Sequence, residues 1–166
     1  MSTREQSAQL QLRRAMERSD LAAALDAFAP DATLRSPFTD RLSFRGREQI
    51  ALVTEVVLDV FDDLRYTHEI GGEDGGFLVG RARVGGQEIE WVDHLQLNSD
   101  GKIRELTLFF RPLPGTAAAL RVIGAGLARR RSPLRAAAIS AFAAPLGLMT
   151  RAGDRIGVRL ISSSLG

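Results

Sequence analysis

The sequence predicts an α+β protein in which helices come first, an antiparallel sheet follows, and a helical extension ends the chain. Three patterns carry this reading. Apolar residues recur at helical spacing through the first sixty positions, the period drops to two from Leu64 to Phe110 with glycine-rich turns between the runs, and an alanine- and arginine-rich stretch follows residue 112. Residues 1–112 are therefore expected to form one domain, and residues 113–166 a basic helical extension packed on it or at an interface. With 166 residues and 45% hydrophobic content, the chain can bury one core, but a second full domain is not expected.

Thr3 with Gln6 matches a capping box, and Ala8, Leu12, Ala15 and Met16 then recur at helical spacing to Arg18, which predicts a first helix. Ser19 and Asp20 restart the chain as cap residues. Leu21, Leu25 and Phe28 line one face of a second helix that Pro30 is expected to stop. Asp31 to Phe38 is a short extended segment, and after a loop to Gly46 a third helix runs from Glu48 to Phe61 on the stripe Ile50, Val53, Val57 and Phe61.

Four strands follow, separated by turns at Gly71 to Gly76, Gly85-Gly86 and Ser99 to Lys102. A two-residue Gly85-Gly86 turn pairs Val84 with Gln87. That register sets Arg83 against Glu88 and Arg81 against Glu90 on one face, and Ala82 against Ile89, Gly80 against Trp91 and Leu78 against Asp93 on the other. A four-residue loop at the next turn continues the apolar face by placing Leu95 opposite Leu106, Asp93 opposite Leu108 and Trp91 opposite Phe110. On the first strand, Leu64, Tyr66, His68 and Ile70 form the expected inward set.

Asp93 breaks the pattern. It lies on the apolar face between Trp91 and Leu95, where an unpaired charge is expensive, while Arg81 and Arg83 are expected to serve Glu90 and Glu88 on the other face. Two readings stay open for it: a buried acid bonded to the backbone, a cap or a distant arginine such as Arg111, or a donor or general acid facing a ligand. His68, on the same face two strands away, and Asp40, in the loop beyond Ser36, are the candidate proton carriers beside it. Trp91, Tyr66, Phe38, Leu108 and Phe110 form a candidate ligand-binding lining. Gly80, opposite Trp91, removes a side chain where one would pack, so a cavity for a flat apolar ligand is expected there. His94 points outward, where a surface or dimer contact suits it better than chemistry.

Composition narrows the function classes. With no cysteine and two histidines, thiolate chemistry is excluded and no metal site or cofactor is expected; nor is there a phosphate-cradling glycine loop or a serine-nucleophile motif. No signal-peptide core or membrane-spanning run is evident, so a cytoplasmic location is the default expectation. Charge is unevenly spread. Residues 1–111 carry 14 basic and 19 acidic side chains, while residues 112–166 carry eight arginines and one acid, Asp154. Thr116 to Arg131 and Pro133 to Met149 are helical candidates, with a short strand or coil at Gly153 to Leu160. The second candidate is apolar nearly all round and must be buried somewhere: over the open end of the domain, in an oligomer contact, or on a membrane surface through residues 116–149, a use not favoured over the others. Binding to nucleic acid is not expected.

The segment FAPDATLRSPF, the FRG at Phe44 to Gly46, and VDHLQLNSDGKI within the strands resemble the SnoaL-like branch of the nuclear transport factor 2-like superfamily, which includes ketosteroid isomerases. The similarity spans about residues 5–112. It implies a cone, a curved sheet wrapped on a long helix with a ligand pocket on its concave face, often dimeric through the convex face. Asp93 falls on the oxyanion-hole acid of ketosteroid isomerases, where an apolar surround keeps a carboxyl protonated and able to donate. Ser36 stands where those enzymes have their catalytic base, and Leu12 where they have the tyrosine that completes the oxyanion hole. Leu106, Leu108 and Phe110 leave no acid where SnoaL-type cyclases carry one on the last strand. Steroid isomerisation by that mechanism is therefore not expected. Two functions remain open: a pocket protein for an apolar carbonyl-containing metabolite, acting as an isomerase or cyclase-like enzyme through Asp93, or a non-catalytic scaffold whose C-terminal helices bind a partner or membrane surface.

Overall fold

Six strands form one sheet, in the spatial order 43–45, 28–35, 103–111, 87–97, 75–84 and 61–72, with helices laid on one face. The computed structural model describes residues 7–130, 145–154, 156, 159 and 162. Helix α1 spans Ala8–Glu17, α2 Leu21–Asp26 and α3 Gly46–Val60; strands β1 to β6 span Phe28–Arg35, Ser43–Arg45, Phe61–Gly72, Gly75–Val84, Gln87–Leu97 and Ile103–Arg111; α4 spans Leu113–Arg129. Residues 145–154 are helical and are called α5 below.

Local chemistry sets the boundaries. Ser7 caps α1 by accepting from the Leu10 amide, whereas the expected Thr3–Gln6 box lies outside the described residues. Asp20 caps α2 through the Ala23 amide. That helix ends at Asp26, not at Pro30, because Phe28 already belongs to β1, which pairs parallel with β6. Pro30 thus sits inside a strand, in the stretch between Phe28 and Thr33 where pairing with β6 is interrupted and no amide is needed. The loop before Gly46 contains an unforeseen three-residue strand, β2, which extends the sheet by pairing with β1.

The register of the central hairpins follows from alternation and turn length. Val84 pairs with Gln87 around Gly85 and Gly86, both at positive φ as the two-residue turn requires, and Gly80 meets Trp91, Leu78 meets Asp93, and Asp93 meets Leu108. The charge pairing on the other face differs from expectation. Glu90 stands between Arg81 on β4 and Arg111 on β6, and its 3.3 Å ion pair is with Arg111; among the described residues Arg81 and Arg83 make no ion pair.

The face assigned to β3 also changes within the strand. Tyr66 pairs with Gly80 but His68 pairs with Val79, so one extra residue is inserted between them. Such a bulge reverses the alternation. Tyr66 is buried, His68 and Ile70 turn out to solvent, and Glu69 turns in to meet Arg13 of α1 at 3.3 Å.

Helices α1 and α3 pack on the inner face, and α4 lies across β4, β5, β6 and against α3. Two glycines let α4 approach closely. A Cβ at Gly115 would strike the Glu88 carbonyl of β5, and one at Gly126 would strike Val56 of α3. The first part of the C-terminal extension is thus part of the same core. Pro133 to Met149, expected as one helix, falls mostly on residues outside those described. The described residues from 153 onward are helical rather than strand or coil.

Candidate functional site

A cavity of about 140 Å³ lies between the inner sheet face and the helices. Its lining is apolar apart from Ser36, Thr54, Tyr66, Trp91 and Asp93. An engineered apolar cavity of roughly 150 Å³ takes up benzene, so the space accommodates at least a six-membered ring. Helix α4 closes one side through Leu120, Ile123, Gly124 and Leu127.

Asp93 is the chemical centre of this cavity. It is 2% exposed. Its Oδ2 accepts from the Tyr66 hydroxyl at 3.0 Å and from the Trp91 indole nitrogen at 3.2 Å, while Oδ1 is buried without a hydrogen-bond partner. Burial pushes the carboxyl up to about 7, against the opposing pull of the two donors. The Tyr66 hydroxyl is held well above its usual range, first by burial and then by the neighbouring carboxylate, so it remains a donor. When Asp93 is neutral its proton belongs on Oδ1, because both donors occupy Oδ2. Arg111 is committed to Glu90 on the outer face, so the counter-ion reading fails.

Three aromatic contacts shape the lining, two of them at Trp91. Trp91 meets Tyr66 and Phe61 edge-on, with ring centres 5.7 and 5.8 Å apart, and Phe38 meets Phe110 at 5.5 Å. Gly80 does not line the cavity: a Cβ there would overlap the Trp91 ring, so the missing side chain makes room for the indole rather than for a ligand. Seated on Gly80, the indole can hold its N–H against Asp93.

The remaining candidates lie apart. The β3 bulge puts His68 on the solvent side, where its ring contacts the Thr67 hydroxyl at 3.1 Å. Asp40 is exposed and does not reach the cavity, because residues 39 to 41 turn outward before the chain returns to its rim at Leu42. Ser36 does line it, with its Oγ accepting from the Phe38 amide at 3.2 Å. Trp91, Tyr66, Phe38, Leu108 and Phe110 all line the space, as does Leu12. Tyr66 was legible as an inward aromatic, but its role as donor to Asp93 was not, since that depends on a register bridging three strands. The α4 side of the lining carried no sequence signal beyond helical spacing. Among the described residues, no three His, Cys, Asp or Glu side chains gather as a metal site would require.

Comparison with known proteins agrees with this fold. The SnoaL-like domain family matches residues 10–106, more than half of the chain. The chain belongs to the SnoaL-like family. Its fold is accordingly the nuclear transport factor 2-like cone. This SnoaL-like protein is similar to a steroid delta-isomerase from Pseudomonas aeruginosa, with 26% identity, a TM-score of 0.64, and coverage of 75% of this chain and 89% of that one. It is also similar in fold to an uncharacterised protein with a cystatin-like fold from Silicibacter pomeroyi, at 23% identity and a TM-score of 0.68, covering 77% of this chain and 88% of that one. A third structure of like fold is SalBIII, an epoxide hydrolase/cyclase-like enzyme of pyran ring formation in salinomycin, at 17% identity and a TM-score of 0.53, covering 63% and 88%. No curated protein matches the sequence.

Proposed function

We propose that this SnoaL-like protein binds an apolar small molecule bearing one carbonyl or comparable oxygen, and that neutral Asp93 donates from Oδ1 to that oxygen. The observation that carries the reading is the division of labour within one carboxyl group: Oδ2 is occupied by Tyr66 and Trp91, while the buried Oδ1 has no partner in a cavity whose only other polar lining residues are Ser36 and Thr54 among those described. An orphaned buried oxygen is costly, and a ligand acceptor relieves the cost.

The same arrangement limits the reaction. Asp93 is the one carboxyl group among the described lining residues, Tyr66 is held protonated, and Ser36 supplies no substitute for a carboxylate base. A carboxyl poised at about 7 can give a proton and take one back at neutral pH. An isomerisation or cyclisation internal to the ligand fits that capacity, since it leaves no net proton to dispose of. The similarity to a steroid delta-isomerase and the shared fold with a cyclase-like enzyme support the class, although the two-carboxylate steroid mechanism lacks its base here.

Trp91 is the single tryptophan and lines the cavity, so its fluorescence reports occupancy directly. Titration with a ketone such as cyclohexanone and with its parent hydrocarbon cyclohexane tests the reading. The ketone is expected to bind roughly 3- to 10-fold more tightly below pH 7, the worth of one hydrogen bond, and to lose that preference above it. Equal affinity for ketone and hydrocarbon at acidic pH would refute the donor role.

A further inference from the structure

We infer that α5 and the adjoining side of α4 form a docking surface for an anionic lipid bilayer. Helix α5 wears its apolar side outward. Gly147, Thr150 and Arg151 share the side facing the protein, and Thr150 is buried there. The solvent side carries Leu146, Met149, Ala152 and Ile156 at helical spacing together with Leu148; Leu148, Met149 and Ile156 are 64%, 72% and 59% exposed. A helix on a water-facing surface has the opposite polarity, and a stripe of this kind marks an interaction site.

Charge identifies the occupant. Between α4, the β4–β5 turn and α5 runs a groove of about 290 Å³, lined among others by Pro114, Ala117, Arg121, Leu148 and Arg151. Neither Arg121 nor Arg151 has an acidic partner among the described residues, and the residues outside the description carry one acid, Glu5. Over residues 112–166 eight arginines face one acid, Asp154. A second copy of this surface would set arginines against arginines, whereas lipid phosphates complement them and acyl chains accept the apolar stripe. Leu113, next to groove residue Pro114 and 64% exposed, extends the apolar rim. No described helix is long and apolar enough to cross a membrane, so the contact is one of lying on the surface. The cavity of Asp93 is lined by the other side of α4, and the docking inference does not depend on how that cavity is used.

The full chain is to be co-sedimented with vesicles of phosphatidylcholine alone and of phosphatidylcholine mixed with an equal share of phosphatidylglycerol. Binding is expected to the mixed vesicles only and to weaken as salt is raised. Arg121→Gln and Arg151→Gln are each expected to weaken it about fivefold, and Met149→Glu more than about tenfold. These side chains lie outside the cavity, so Trp91 fluorescence and circular dichroism verify that each variant is folded. The inference is overturned by absence of binding to the mixed vesicles, by equal binding to both kinds, or by variants that bind as the parent does. A concentration-dependent dimer abolished by Met149→Glu without any vesicle binding also overturns it, assigning the face to a second copy.

Discussion

Replacing Asp93 by Asn isolates the energetics of the buried acid. The amide oxygen still accepts from Tyr66 and Trp91, while the amide nitrogen takes the place of Oδ1 and cannot titrate. The carboxyl moves from an ordinary 3.8 to about 7 on folding, so between those values the folded state holds a proton that the unfolded state has released. Stability from this group is therefore fully present below about 3.8 and is lost as pH rises through about 7. The loss amounts to roughly 4 kcal/mol at 1.36 kcal/mol per unit of pH. Urea denaturation of parent and variant at half-unit steps from pH 4 to pH 8 measures it. The difference curve, variant minus parent, is expected to rise by roughly 4 kcal/mol toward alkaline pH and to level off above 7, about 10 °C in melting temperature for a chain of this size. An unpaired amide in the empty cavity adds a constant penalty of about 1–3 kcal/mol, which shifts the curve without changing its shape. Parallel parent and variant profiles would refute the argument. Ligand affinity supplies a second check, since the amide donates at every pH: the variant is expected to keep the ketone preference at pH 8 that the parent loses.

Tyr66→Phe removes a donor that favours the ionised carboxyl, so the pH at which ketone binding fades is expected to rise, with a stability loss of about 1–2 kcal/mol in denaturant titration. A downward move of that midpoint would contradict the assigned bond. Gly80→Ala forces the Trp91 ring from its seat, and a destabilisation of about 2 kcal/mol or more with a shifted tryptophan emission maximum is expected. Unchanged emission would show the indole is not seated there. On the outer sheet face Phe109 is 57% exposed and Phe77, 42% exposed, stacks on His94 with ring centres 4.7 Å apart, a surface suited to dimerisation. Light scattering is expected to find a dimer that Phe109→Glu converts to monomer; a parent already monomeric at high concentration would remove the prediction.

How much of this was legible in the sequence depended on whether the governing rule was local. The Gly85-Gly86 turn fixes one register, and strict alternation carries it across to β6, so Asp93 could be set opposite Leu78 and Leu108 before any coordinates. His68 was lost because a bulge adds one residue without any marker in the residues themselves: Tyr66-Thr67-His68 is as good an alternating strand as any other. Strand β2 was missed because three residues carry too little pattern to separate from a loop. The Arg81–Glu90 pair was a correct register with the wrong partner, since Glu90 has an arginine on either side and the pairing of one face cannot be decided from one hairpin. The sequence marks Gly80 as an opening opposite Trp91 but not its tenant, because the fold-back of the large ring across the ladder depends on tertiary packing.

The placement of Tyr66 gives the site its logic. In ketosteroid isomerases, by the resemblance read from the sequence, a tyrosine and an acid both donate to the substrate, and a separate carboxylate moves the proton. Here the first-helix position is Leu12, the base position is Ser36, and the tyrosine comes from β3 and donates to the acid instead. With two titrating groups, a protein can push one far up and leave the other low, each fixed in its role. With one group, such separation is useless. Burial alone would drive Asp93 into permanent neutrality, and full solvation would leave it a plain carboxylate; the bonds from Tyr66 and Trp91 pull back against burial, and the balance falls at about 7. A lone carboxyl held at that point can serve as donor to a bound oxygen and as acceptor of the proton returned, which is the most that a cavity whose tyrosine stays protonated and whose described lining has no second carboxyl can ask of it.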